Sequence, residues 1–307
     1  MRLTAACAAM MALCVGCGTA LAQDNAAEEA AHRAAVMARL PADAAQLAFG
    51  REQKPAPGPP EAIGAYMRGC LEGAVELPAD GPGWEVMRPS RDRAWGHPAL
   101  IAFIERVAPQ LPTEAGWSGL LIGDMAQPRG GPMLTGHASH QIGLDVDIWL
   151  TPMPDRRLSP AERDNMSALQ LVAENGTEVD PHVWSPTDRR LLETVARQPE
   201  VARIFVNPAI KRELCHEAGS DRAWLAKIRP WWGHKTHFHL RLSCPPGAAE
   251  CRGQPAPPQG DGCGKELAWW FTPAGRHPPP AGPAKPLLVR DLPKACAALV
   301  AIPHSSR

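Results

Sequence analysis

The chain has 307 residues, with 32 Lys and Arg balanced by 32 Asp and Glu, so the formal net charge is zero. No basic block of five or six residues occurs, which leaves no footprint for nucleic-acid binding through phosphate neutralisation. Thirty-four prolines call for much loop and some extended tail, in a chain long enough for one large domain with arms.

In chain order, Arg2, the apolar run 5–21 and the Ala20-Leu21-Ala22 exit before Gln23 read as a cleaved secretory signal over 1–22, too short and too lightly flanked for a durable membrane span. A lipoprotein cysteine at Cys17 ranks second, because Cys14-Val15-Gly16 is a poor lipidation box. No other stretch is long and apolar enough to cross a bilayer. Residues 23–53 are Ala-rich and charged, consistent with a loose helix, and 54–60 (KPAPGPP) read as a linker. An arm and linker over 23–61 thus precede a core region at 62–271. The Pro/Gly-rich stretch 273–286 does not read as a folding unit, and Cys296 beyond it suggests that the tail 272–307 is tied back to the body.

Cys7, Cys14 and Cys17 leave with the signal, whereas Cys70, Cys215, Cys244, Cys251, Cys263 and Cys296 remain. Six cysteines in an exported chain of about 285 residues read as three disulfides, with fifteen possible connectivities. The absence of a CxxC pair among them argues against a zinc finger, and Cys244 and Cys251 are near enough to close a small loop.

Within the core, Pro98 to Val107 reads as a helix with proline at an early position. Ser159-Pro160, Ser185-Pro186 and Asp221 open helices over 160–174, 186–198 and 222–228. Asp124 in LIGDM can sit at the cleft or cap a turn, the turn being favoured, and the pair Trp231-Trp232 can line a substrate groove, packing being the commoner role. Residues 144–150 and 237–242 alternate instead. Leu144, Val146, Ile148 and Leu150 share one face with Asp145 and Asp147 on the other; Phe238, Leu240 and Leu242 oppose His237, His239 and Arg241. Both are strands that bury one face and offer polar ligands on the other. The expected fold is therefore α+β, a small antiparallel sheet carrying the ligands, flanked by helices.

Five of eleven histidines fall in two clusters, GHASHQIGLDVD (136–147) and HKTHFH (234–239). His237 and His239 project from one strand roughly 6–7 Å apart along its axis. With Asp147 on a neighbouring strand and His140 at its entry, two imidazoles and a carboxylate can hold zinc and leave one position open for water or a carbonyl. A lone HxH is more often a surface pair, and histidine clusters also bind Cu(II) or Ni(II) without catalysis. The conjunction of both motifs with outward-aimed strand faces favours the zinc reading. Asp145 shares the Asp147 face, where orienting a ligand imidazole and serving as a solvated or structural carboxylate weigh equally.

Ser139-His140-x-x-Gly143-x-x-x-Asp147 followed by His237-x-His239 resembles the metal signature of the lysostaphin/D-alanyl-D-alanine peptidase/hedgehog fold group. The longer runs GHASHQIGLDVDIWL (136–150), IFVNPAIKRELC (204–215), DRAWLAKIRPWWGHKTHFHLRL (221–242) and GDGCGKELAWWF (260–271) resemble the penicillin-insensitive murein endopeptidase family, over roughly 65–271 and the last cysteine. The resemblance implies zinc on His140, Asp147 and His239, with His237 as acid/base partner and His234 beside it. It also implies the pairings Cys70–Cys296, Cys215–Cys263 and Cys244–Cys251, periplasmic residence, and hydrolysis of D-alanyl–diaminopimelate cross-links in peptidoglycan. Family members carry a D-G-x-H stretch that, with the His137 position, holds additional metal; here it reads Asn175-Gly176-Thr177-Glu178, leaving Glu178 or His182 as substitutes and a second site in doubt. A non-catalytic wall-binding module and a carboxypeptidase trimming terminal D-alanine are the rival readings. The sequence carries no signal for oligomeric state.

Overall fold

A computed structural model describes residues 28–278 and 285–300. The signal over 1–22, and those parts of the arm and Pro-rich tail at 23–27, 279–284 and 301–307, lie outside the described residues. Among the described residues, no helix is long and apolar enough to cross a membrane.

The strands in chain order are β1 (Glu61–Ala65), β2 (Arg68–Glu72), β3 (Val75–Glu76), β4 (Asp80–Gly81), β5 (Trp84–Val86), β6 (Trp95–Gly96), β7 (Leu120–Ile122), β8 (Asp145–Trp149), β9 (Val201–Val206), β10 (Ile228–Pro230) and β11 (His237–Leu242). Seven form one sheet in the order β10-β9-β11-β8-β7-β5-β4. Its middle, β9-β11-β8-β7, is antiparallel, and the parallel pairs β10-β9 and β7-β5 widen it on either side. The chain is α+β, as its alternating segments indicate, and the sheet is larger than two strands announce. The apolar alternates Val146, Ile148, Phe238 and Leu240 are fully buried in the main core, each worth about 1.5–3 kcal/mol of transfer free energy. That burial fixes the register, because a one-residue slip would turn every polar ligand inward.

The helix Pro98–Val107 forms where its sequence indicates, with proline in the first turn and His97 Nδ1 accepting the Ala99 N–H at 3.1 Å. At the start of Pro186–Ala196, Asp188 Oδ2 accepts from the Ser185 N–H and hydroxyl, and residues 222–228 yield a 3-10 segment, Ala223–Lys227. The helix expected over 160–174 stops at Asn165. Tertiary bonds take over there. Met166 O accepts from the Arg88 guanidinium, Leu169 N–H donates to Thr151 Oγ1, and Leu171 N–H donates to Lys235 O, drawing the segment out along the strand that carries the histidines.

Three disulfides are present, Cys70–Cys296, Cys215–Cys263 and Cys244–Cys251. The first fastens helix Lys294–Val300 to the β1-β2 hairpin, in a small core shared by Ala45, Phe49, Ile63, Leu292 and Leu299. The second segment of the N-terminal arm, helix Ala45–Gly50, therefore packs beside the C-terminal one. With its cysteines 226 positions apart, this bridge should contribute about 3–5 kcal/mol in the chain-entropy model. The Cys70→Ser/Cys296→Ser double variant is expected to melt about 6–15 °C lower than the parent; an unchanged melting curve would show that the terminal cluster holds without it.

Lys211 is fully buried, with Nζ donating to Leu225 O at 2.8 Å and Asp261 O at 2.6 Å. Burial pushes its pKa down from 10.5 to about 7. The neutral amine keeps two N–H groups, enough for both carbonyls. Since the unfolded chain holds this proton up to its ordinary pKa, stability is expected to rise with pH between about 7 and 10. Lys211→Met should flatten that slope in denaturant titrations at several pH values.

Candidate metal centre

Strands β8 and β11 pair so that His239 lies opposite Asp147 and Arg241 opposite Asp145. The loop before β8 brings His137 and His140 over the same face. Its end is tight: Gly143 has φ +70°, and a Cβ there would stand 2.7 Å from the His97 backbone nitrogen. Gln141 clamps the loop to the β1-β2 hairpin, accepting from Gly69 N–H at 3.1 Å and donating to Met67 O and Ala138 O. Two of the site histidines, His140 (φ 67°) and His234 (φ 49°), occupy the left-handed region, a strained backbone held by its surroundings.

The Asp147 carboxylate is the hub. Its Oδ1 faces His140 Nε2 at 3.5 Å and His239 Nδ1 at 3.4 Å, while its Oδ2 faces His137 Nδ1 at 3.5 Å and His237 Nε2 at 3.8 Å. Both His140 ring nitrogens and Asp147 Oδ1 are buried without a hydrogen-bond partner. Orphaned polar atoms converging at this spacing are costly unless a cation takes them, and an imidazole and carboxylate donor set suits zinc. The residues present therefore fit a divalent metal. His137, His140 and Asp147 can each bring one ligand atom within 4.8 Å of the others, so His137 stands beside His239 as a candidate third ligand. Of the substitutes for a second site, Glu178 is engaged elsewhere. Glu178 sits 3.6 Å from Arg212, and the His182 backbone N–H, though not its ring, donates to Asp180 Oδ1.

Burial and the neighbouring His137 hold His140 down at about 4, leaving it neutral with a free lone pair at ordinary pH. Burial opposes ionisation of Asp147, but the imidazoles around it, His140 foremost, hold its carboxyl well below the usual range. His234 is pushed to about 4 by burial and by His237, and burial also lowers His237. His137 goes the other way: burial opposes its charge, yet the bond to Asp124 raises it.

Two acidic residues stand behind these ligands. Asp145 is fully buried, accepts from the His140 backbone N–H at 3.0 Å, lies 3.1 Å from His239 Nε2, and is gripped by Arg241 through Nε at 2.6 Å and Nη2 at 3.0 Å. Asp124 is not a surface turn residue. It is buried, meets His137 Nε2 at 3.0 Å and Arg93 Nη1 at 2.8 Å, and its backbone carbonyl accepts from Asp147 N–H. Its sequence offered no periodic signal, whereas Arg241 could have been read, since it shares the His237/His239 face. Trp231 is half exposed and touches Phe205, whose ring lies 5.3 Å from His239, so the tryptophan pair borders the site as well as packing against Trp270.

This is an α+β protein with a buried histidine–aspartate centre that could hold a metal ion on the face of an antiparallel sheet. Residues 62–301 match the family model described as penicillin-insensitive murein endopeptidase. Proteins of that name are similar over most of the chain. The one from Yersinia enterocolitica is 48% identical over 80% of this chain and 87% of its own length; those from Klebsiella pneumoniae and Escherichia coli O1:K1 / APEC are 47% and 45% identical, each over 85% of this chain and 94% of their own. The chain belongs to the penicillin-insensitive murein endopeptidase family and is a peptidase.

Proposed function

We propose that this peptidase is a zinc-dependent endopeptidase of the periplasm that hydrolyses the amide between D-alanine and diaminopimelate in cross-linked peptidoglycan. The observation that supports the reading is the buried Asp147 Oδ1, which lies 3.5 Å from His140 Nε2 and 3.4 Å from His239 Nδ1 while it and both His140 ring nitrogens lack a hydrogen-bond partner. These residues would hold the metal, which when bound supplies Lewis-acid polarisation of a carbonyl and a lowered pKa for water. The other steps fall to the chain itself. Asp145, at the far nitrogen of His239, fixes that ring so that Nδ1 is the donor. His237 Nδ1 is engaged by Thr236 Oγ1 at 3.3 Å, which leaves Nε2 to accept a proton from the attacking water and return it to the leaving amine. His234 Nδ1 donates to Trp232 O at 2.8 Å, so the neutral ring turns its other nitrogen free, 5.0 Å between centroids from His237. No SxxK motif occurs in the sequence, so no serine acyl-enzyme is available to trap a β-lactam.

Purified mature protein is expected to release monomers from cross-linked muropeptide dimers, to lose that activity under chelation and to regain it with zinc. Unimpaired hydrolysis after exhaustive chelation, checked by elemental analysis, would reject the metal. Preference for uncross-linked pentapeptides over dimers would make the chain a carboxypeptidase instead.

A further inference from the structure

Beside the His234 turn lies a cavity of about 350 Å³ that the reaction above does not use, within the size range of ligand sites. Trp232, Trp270 and Phe271 form its apolar wall, and Asn175, Lys235 and Arg276 its polar one. The apolar wall is fixed: Trp232 Nε1 donates to Gly275 O at 2.9 Å, and its ring meets Trp270 with centroids 4.7 Å apart. No aspartate or glutamate lines the cavity. Among the described residues, neither Lys235 nor Arg276 has a carboxylate at ion-pair distance. Arg276 commits only Nε, to Phe271 O at 3.2 Å, and nearby Glu178 is taken by Arg212. Two uncompensated cations facing a rigid aromatic wall suit a ligand that joins a carboxylate to an aliphatic stem.

We infer that this cavity is a substrate subsite in which Lys235 and Arg276 bind the free carboxylate of the residue whose amine is released. The inference rests on the function proposed above. In a D-alanyl–diaminopimelate cross-link, the acylated amine sits on a carbon that also bears a carboxylate, and a chain of methylene groups leads away from it. The charge therefore travels with the leaving group. Gly233 and Lys235, both lining the cavity, flank His234 in sequence, so the cavity and the His234 turn share one backbone segment. A neutral sugar ring would use the tryptophans but leave both cations without a partner.

The test uses two synthetic cross-linked dimers, identical except that one carries this carboxylate free and the other as its amide. The wild-type protein should show a KM roughly tenfold or more lower for the free acid, the scale of one charge-assisted contact, with similar kcat. In Lys235→Gln the KM for the free acid should rise part of the way to that of the amide, in Lys235→Gln/Arg276→Gln all the way, and the amide should be handled as by the wild type. Lys235 makes no side-chain bond that folding depends on, so the single variant keeps the comparison meaningful. Equal losses on both dimers, or a wild type indifferent to the amide, would overturn the subsite. Should the wild type cleave neither dimer, the proposed reaction fails instead. Calorimetric binding of the same two dimers to the wild type and to Lys235→Gln then reads the subsite alone, with equal binding of acid and amide overturning it.

Discussion

His239→Ala should reduce hydrolysis of cross-linked muropeptides by three orders of magnitude or more and leave the purified protein without stoichiometric zinc. The imidazole stands at the centre of β11, directly opposite Asp147, with Nδ1 3.4 Å from Oδ1. Under the proposed function its removal takes one of three metal donors. His237→Ala should separate the two roles. That ring lies on the Oδ2 side of the same carboxylate, so its loss should cost about two to four orders of magnitude in kcat, the range for a general acid/base, while zinc content stays at one per chain. His137→Ala is the third arm, because His137 competes geometrically for ligand status. Asp124 stands at its far nitrogen as Asp145 does at that of His239, so the variants separate the two rings: with zinc on His140, Asp147 and His239, this one should keep its zinc. Full activity in His239→Ala, or zinc lost from His137→Ala and retained in His239→Ala, would transfer the ligand role to His137.

The parts of this site that could be read from sequence are those written in a period. Alternation placed β11 at 237–242 and β8 within 144–150, and the pairing of the two strands sets Asp147 opposite His239. Proline and capping signals placed Pro98–Val107 for the same local reason. What could not be read depends on partners distant in sequence. The outer strands β4, β5, β7 and β10 are two or three residues long, too short for any period, and exist because neighbours pair with them. Asp124 is aimed at His137 by the β7–β8 junction, a relation absent from the letters LIGDM. Six cysteines leave fifteen connectivities; the pairs present are those the family resemblance implied, and counting alone would not have selected them.

Asp145→Asn is expected to lower both stability and activity, for one electrostatic reason. The carboxylate is fully buried and Arg241 is 3% exposed. Burial would raise the Asp145 pKa, but His239 and Arg241 hold it well below the ordinary carboxylate range. A depressed folded-state pKa means that the pair contributes stability above the unfolded value of about 3.9 and loses it as pH falls below that. Replacing one partner leaves the Arg241 guanidinium buried and uncompensated, which costs about 3–5 kcal/mol, or a melting point about 6–15 °C lower at pH 7. Near pH 2 to 3 the gap between variant and parent should narrow. Arg241→Met should destabilise by a similar amount, stranding the carboxylate instead. The double variant Asp145→Asn/Arg241→Met should recover much of the stability, because no charge is then left unpaired, with its ring contacts to Tyr66 and Phe205 replaced by apolar ones. Activity should not recover with it. Without the carboxylate, nothing holds His239 Nε2 or the His140 backbone N–H in place, and zinc affinity should fall about 10–100-fold. A double variant that regained both stability and zinc affinity would show that Asp145 serves the fold alone and has no part in orienting the metal ligands.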